Sequence, residues 1–262
     1  MGTKPITIPR GFCQRQAFTL IELLTVIGVI AILASMLIPA LAGTRERMQR
    51  TTCRNNIRQF ILATHLYGQD HNDRLPSGRS ESTNPGDEHI PTVSTNTRAQ
   101  LIAYGGDLKI LSCPNWSQYF KKRPDWRFPV YGYVLGYNYL GGRSLTPWST
   151  NLESANYRPW ISPQTLHDDF SLALVTDPNN WSRGYATTFV PHSKRGFIFY
   201  GPPIDDNALD FTPADVPTPK NLGAQGGNVG LLDGSVKWKP IARMLKYRGT
   251  RLWNSDGAFA MW

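Results

Sequence analysis

The apolar run from Phe18 to Ala42 constrains this chain more than any other feature of its sequence. About 20 helical residues span the roughly 30 Å hydrocarbon core of a bilayer, so the run is long enough to cross a membrane. Only a few polar side chains interrupt it, namely Thr19, Glu22, Thr25 and Ser35. The sequence therefore predicts a membrane helix over residues 18–42.

Glu22 lies near one end of this predicted membrane helix. An ionised carboxylate inside a bilayer costs free energy that grows with its depth, and a buried carboxylate needs either a cation or a proton. An ordinary anchor has no use for such a residue, so we interpret Glu22 as an assembly residue. The alternative is a carboxylate that is simply solvated at the level of the lipid headgroups.

The segment from Ala17 to Ile27 (AFTLIELLTVI), with Pro39 further along, resembles the processing segment of type IV prepilins and type II secretion pseudopilins. The resemblance implies that a prepilin peptidase cleaves between Ala17 and Phe18 and methylates the new amine of Phe18. That amine would be the counter-ion of Glu22 in a neighbouring subunit. The family nearly always has glycine before the cleavage site, where this chain has Ala17.

The resemblance also implies partners and a location. The partners are the prepilin peptidase, other pilin or pseudopilin subunits and the inner membrane, which the chain would cross once with its head outside the cytoplasm. A count of basic residues gives the opposite orientation, because the flank after the apolar run is more basic than the leader. We follow the resemblance, since the peptidase acts on a cytoplasmic leader. The arginines of this flank are Arg45, Arg47, Arg50, Arg54 and Arg58.

Four segments are predicted: a cleaved leader (1–17), a transmembrane and assembly helix (18–42), its amphipathic continuation (43–69) and an extracytoplasmic head (70–262). Pro39 and Gly43 predict a kink, because proline removes a helical hydrogen bond and glycine weakens the next turn. From Leu41 to Tyr67, mostly apolar residues recur at helical spacing: Leu41, Met48, Ile57, Phe60, Ile61, Thr64 and Tyr67.

The predicted fold class is α+β, with this long helix packed on a loop-rich antiparallel sheet head, as in pilins. Residues 171–176 and 197–200 are predicted strands. The Asp233-Gly234 pair predicts a two-residue type I′ hairpin turn, which would place Leu231 opposite Val236. The head also resembles a prepilin-like group that ends in a His-x9-Asp-Gly element, although Gly223 replaces the histidine here.

Removal of the leader would remove Cys13 and leave Cys53 and Cys113. Two cysteines in an exported domain predict a disulfide, because such compartments are oxidising. Two unlinked buried thiols are the alternative.

The head contains no specific catalytic motif, so we predict a structural protein without enzymatic activity, cofactor or bound metal. The best metal-like cluster is His167-Asp168-Asp169, but adjacent side chains on a loop point apart, which favours a solvated loop. The net charge is +9, yet no basic block with interleaved aromatics occurs, so no specific nucleic-acid partner is predicted.

The resemblance implies that the chain is a structural subunit of a type IV pilus or of a filament like the type II secretion pseudopilus. The alternative function is a membrane-anchored extracytoplasmic protein outside filaments, either a hydrolase or a binding protein for glycans or proteins. Tryptophans could form a flat aromatic surface for such ligands, although core packing is their default role. The candidates are Trp116, Trp126, Trp148, Trp160 and Trp181.

Overall fold

The structure is a computed structural model that describes residues 19–84, 88–116, 126–143, 158–182, 187–193, 196–200, 222–250 and 258–262. It divides into two compact units, which meet in sequence between Arg45 and Glu46. The two α-helices of the described residues are α1 (Leu20–Asp70) and α2 (Thr95–Gly105). Short 3-10 helices cover Leu108–Leu111, Pro114–Trp116 and Ile241–Arg243.

The strands described lie in three antiparallel sheets of the second unit. In chain order they are β1 (Thr92–Val93), β2 (Arg127–Phe128), β3 (Gly132–Val134), β4 (Asn138–Tyr139), β5 (Ala173–Thr176), β6 (Asn179–Ser182), β7 (Thr187–Ser193), β8 (Gly196–Tyr200), β9 (Gly226–Leu231), β10 (Val236–Pro240), β11 (Lys246–Arg248) and β12 (Ala258–Met261). The sheet orders are β1-β3-β2, β10-β9-β5-β4 and β11-β12-β6-β7-β8. The predicted α+β class is confirmed, with β5 and β8 at the predicted strands.

The part of α1 within the second unit is amphipathic, and one face of it is buried. The buried apolar residues of this face are Cys53, Ile57, Phe60, Ile61 and Ala63, together with Thr64. The prediction that Met48 shares the face is wrong, since Met48 is 66% exposed. Nine residues separate Met48 from Ile57, and at 3.6 residues per turn they lie on opposite sides of the helix.

Glycine allows α1 to lie close to the central strand β9 of the four-stranded sheet. A Cβ added at Gly230 would lie 2.6 Å from Cδ1 of Ile61 and 2.7 Å from Cγ2 of Ile57. The absence of a side chain at Gly230 therefore sets how closely the helix approaches the sheet.

The hairpin that contains Asp233 and Gly234 joins β9 to β10, but its turn differs from the predicted type I′ turn. Val236 pairs with Gly230 rather than with Leu231. The Leu231 N–H donates to Ser235 O at 2.9 Å, so the loop has three residues, of which Gly234 has a positive φ of 83°. Asp233 instead accepts the Ser235 N–H on its Oδ1 at 2.7 Å, which favours this loop over the two-residue turn.

The predicted disulfide between Cys53 and Cys113 is present. It joins α1 to the segment before the Pro114–Trp116 helix, with the two Cα atoms 5.2 Å apart. Both cysteines are completely buried. The bond therefore fixes the helix to the head across 60 residues of chain.

We expect Gly230→Ala to destabilise the second unit by about 1–3 kcal/mol, because the new methyl group overpacks the contact with Ile57 and Ile61. Thermal unfolding of the detergent-solubilised chain, followed by circular dichroism, measures the effect. Gly43→Ala is the matched control, because a Cβ there meets nothing within 4 Å. Equal melting temperatures for Gly230→Ala and the parent would contradict the close contact.

Replacing Cys53 and Cys113 by serine together should lower stability by about 4 kcal/mol, the loop-closure entropy of a cross-link of this span. For a domain of this size the melting temperature should fall by roughly 10 °C. Cys13→Ser is the control and should melt as the parent does. The comparison is made in metal-free buffer, and an unchanged melting temperature in the double variant would show that the cross-link contributes little.

Candidate functional site

The first part of α1 presents an apolar surface with no partner in the described chain. Leu20–Leu37 has a mean hydropathy of 2.5, and none of it is buried. Among the described residues it is the one helix that is long and apolar enough to cross a membrane. Exposed apolar side chains on this scale require lipid or other protein around them. This part of α1 is therefore suited to membrane anchoring.

Thr19 and Glu22 form a capping box at the start of α1. Glu22 Oε2 accepts hydrogen bonds from the Thr19 N–H at 2.9 Å and from Thr19 Oγ1 at 2.7 Å. In return, the Glu22 N–H donates to Thr19 Oγ1 at 3.3 Å. This reciprocal pairing satisfies donors that a helix start leaves free. The Thr-x-x-Glu spacing is visible in the sequence, whereas the prediction for Glu22 concerned assembly and did not include this local role.

The other residues predicted for processing and for the helix kink are Ala17, Phe18, Pro39 and Gly43. Ala17 and Phe18 lie outside the described residues, so cleavage and methylation there stay predictions. The helix assignment of α1 continues through Pro39 and Gly43 without interruption. The kink at these two residues also stays a prediction.

An ionic cluster, in which His192 and Asp177 are buried while Glu46 is only partly buried, joins α1 to the sheets of the second unit. Glu46 of α1 lies with Oε1 at 2.9 Å from Nδ1 of His192 on β7. Arg50 donates to the same oxygen at 3.0 Å, and Asn115 donates to Oε2 at 3.2 Å. Burial alone would raise the pKa of Glu46, but the hydrogen bonds and charge of His192, with Arg50 and Asn115, lower that pKa below its ordinary value.

The other nitrogen of His192 faces Asp177, which follows β5. Nε2 lies 3.5 Å from Asp177 Oδ2 and 3.7 Å from Cys113 Sγ. Asp177 Oδ2 accepts the backbone N–H of Asn228 at 2.6 Å and its side-chain amide at 2.9 Å. Burial raises the pKa of Asp177 despite the opposing effects of His192 and Asn228. His192 thus connects α1 to the segments that contain Asp177 and Cys113.

Sequence reasoning missed this cluster, because Glu46, Asp177 and His192 are far apart in the chain and no local motif marks them. The cluster that the sequence did indicate, His167-Asp168-Asp169, does not converge. Asp168 instead accepts the N–H of Gln164 at 2.6 Å and the hydroxyl of Thr165 at 2.8 Å, which stabilises a turn.

Gly223, at the position where the related group has histidine, adopts a φ of 79°. That left-handed conformation favours glycine and strains a histidine at this position. Gly223 thus adopts a backbone conformation that glycine allows without steric cost.

The described members of the candidate set of tryptophans do not form a flat exposed surface for ligands. Four of the five candidates are described, and each is between 1% and 7% exposed: Trp116, Trp126, Trp160 and Trp181. Trp148 lies outside the described residues. For these four, packing in the core is the observed role.

In the comparison with known proteins, two family models match adjacent parts of the chain. Residues 13–38 match the prokaryotic N-terminal methylation motif, and residues 43–131 match a protein family of unknown function, DUF1559. The chain is 37% identical over 67 residues to type II secretion system core protein G of Pectobacterium carotovorum subsp. carotovorum, covering 26% of this chain and 42% of that protein.

A second relative is type II secretion system core protein G of Vibrio cholerae serotype O1. The identity is 28% over 103 residues, covering 39% of this chain and 66% of that protein. The chain thus spans less than two thirds of the length of either relative. No solved structure matches the chain significantly.

These matches coincide with the features of the structure. The methylation motif covers the exposed apolar start of α1, and the DUF1559 match begins where the amphipathic part of α1 was predicted. The chain is a prepilin- or pseudopilin-like protein.

Proposed function

We propose that this chain is a structural subunit of a type IV pilus or of a filament like the type II secretion pseudopilus. The observation that carries the proposal is the unburied apolar helix Leu20–Leu37 inside the match to the methylation motif. A helix of this kind is stable in lipid and can later exchange lipid for neighbouring subunits, where close packing of apolar helices stabilises the assembly. The relatives, named as core proteins of type II secretion, support the same function.

Maturation precedes assembly in this proposal. The prepilin peptidase removes the leader, residues 1–17, by cleavage between Ala17 and Phe18 and then methylates the amine of Phe18. The chain crosses the inner membrane once through residues 18–42, with residues 70–262 outside the cytoplasm. The disulfide between Cys53 and Cys113 supports this location, because disulfides persist in oxidising compartments.

Glu22 acts in assembly as the carboxylate that pairs with the Phe18 amine of a neighbouring subunit. In a low-dielectric filament interior an unpaired charge is costly, so the pair fixes the axial position of one subunit against the next. Partners are accordingly other pilin or pseudopilin subunits. The head acts as a structural module without catalysis, cofactor or specific nucleic-acid binding.

The two roles of Glu22, helix capping and charge pairing, are separable by substitution. Glu22→Gln retains a side chain that can complete a capping box but lacks the charge, whereas Glu22→Ala removes both. We expect both variants to lose filament incorporation by at least tenfold, measured by immunoblotting of sheared filaments or of cross-linked membrane subunits. Thr25→Ala is the control and should assemble normally, because the Thr25 hydroxyl bonds only to Glu22 O of its own helix in the described contacts.

Normal incorporation of Glu22→Gln with loss in Glu22→Ala would assign Glu22 to helix capping and overturn the charge-pair mechanism. Normal incorporation of both variants would contradict an assembly role altogether.

Processing is tested at the N-terminus of the protein extracted from membranes. We expect mass spectrometry to identify N-methylated Phe18 as the first residue. Ala17→Gly should be processed at least as fast as the parent, because glycine is the residue usual in the family, whereas Ala17→Leu should accumulate uncleaved. An intact leader on the native protein would contradict the proposed maturation.

A further inference from the structure

Four possible metal ligands from separate parts of the second unit converge at the disulfide. Cys53 Sγ, Cys113 Sγ, a carboxylate oxygen of Asp177 and a ring nitrogen of His192 all lie within 4.8 Å of one another. Each of the four residues is at most 1% exposed. We propose that, when the two cysteines are thiols, this cluster binds one divalent cation of the zinc type. The inference does not depend on the proposed filament function.

The distances suit a tetrahedral ion. Zinc binds sulfur at about 2.3 Å and histidine nitrogen or carboxylate oxygen at about 2.0–2.2 Å, which separates neighbouring ligand atoms in a tetrahedron by roughly 3.3–3.8 Å. Nε2 of His192 lies 3.7 Å from Cys113 Sγ and 3.5 Å from Asp177 Oδ2. These two edges already have the required length. Opening the disulfide allows the two sulfurs to separate to the distance between neighbouring ligand atoms of a tetrahedral ion.

The surroundings orient the ligands as metal sites require. The Nδ1–H of His192 donates a hydrogen bond to Glu46 Oε1 at 2.9 Å, and in that tautomer the lone pair of Nε2 is directed at the cluster. Glu46 is itself held by Arg50 and Asn115. A carboxylate that fixes the far nitrogen of a ligating histidine is the usual outer partner of zinc-bound histidine.

Asp177 provides an independent indication of a ligand. Its Oδ2 is bonded to Asn228, whereas its Oδ1 is completely buried and has no hydrogen-bond partner among the described residues. A buried carboxylate oxygen without a partner is costly, and a cation bound to the same carboxylate offsets part of that cost. The disulfide form of the head leaves this oxygen unsatisfied.

The metal-bound and disulfide forms exclude each other. On binding, each thiol loses one proton and becomes a thiolate, so two protons are released and no electron is transferred. Two thiolates and the Asp177 carboxylate then carry three negative charges against the two positive charges of the ion. In the disulfide form both sulfurs are bonded to each other and cannot act as thiolate ligands. The chain is synthesised with thiols, so metal binding needs no reductant.

The experiment uses the full chain in detergent with Cys13→Ser, which removes the third cysteine. Reduced and oxidised samples are titrated with Co²⁺ and then Zn²⁺, and bound metal is counted by mass spectrometry after dialysis. We expect one Co²⁺ per reduced chain, with the absorption of a tetrahedral thiolate site, displaced by Zn²⁺. The oxidised chain should bind none.

Variants assign the ligands. Asp177→Asn and His192→Gln should weaken Co²⁺ binding by at least tenfold, whereas the matched control His167→Gln, at an exposed histidine, should bind as the parent does. Folding of each variant is checked by circular dichroism in its oxidised form, where the disulfide holds the head without metal. If a variant does not fold, the deciding measurement is whether Zn²⁺ protects the thiols of the parent protein from an alkylating reagent. Absence of stoichiometric binding to the reduced parent, no thiol protection, or binding unchanged in both folded variants would overturn the proposal.

Discussion

The close contact between α1 and the central strand β9 is the constraint on which the head depends. Because Gly230 has no side chain, Ile57 and Ile61 reach the strand backbone. This contact fixes the rotation of α1 about its own axis and its distance from the sheet. One turn earlier on that face, Cys53 meets Cys113, and further back Glu46 meets His192. The cross-link and the ionic cluster therefore both follow from one helix–sheet contact.

Features encoded in adjacent residues could be predicted from the sequence. The apolar run predicted the membrane-length helix, and the strands β5 and β8 followed from short β-branched and aromatic runs. The cysteine pair could be predicted because leader removal leaves only two cysteines. Even here local detail was lost, since the side chain of Asp233 supports a three-residue loop and shifts the hairpin register by one residue.

Features that depend on distant segments could not be predicted. His192, Asp177 and Glu46 carry no common motif, and only the fold of α1 against two sheets brings them together. Met48 matched the apolar spacing loosely but lies on the opposite side of the helix from Ile57. Near the N-terminus, the spacing of Thr19 and Glu22 is visible in the sequence, but the capping role that it indicates was not predicted.

The capping box also changes how joining a polymer should be understood energetically. While a subunit waits in the bilayer, its carboxylate already has two donors supplied by Thr19. In the proposed charge pair, the Phe18 amine of a neighbouring subunit therefore approaches a carboxylate that already has hydrogen bonds within its own helix.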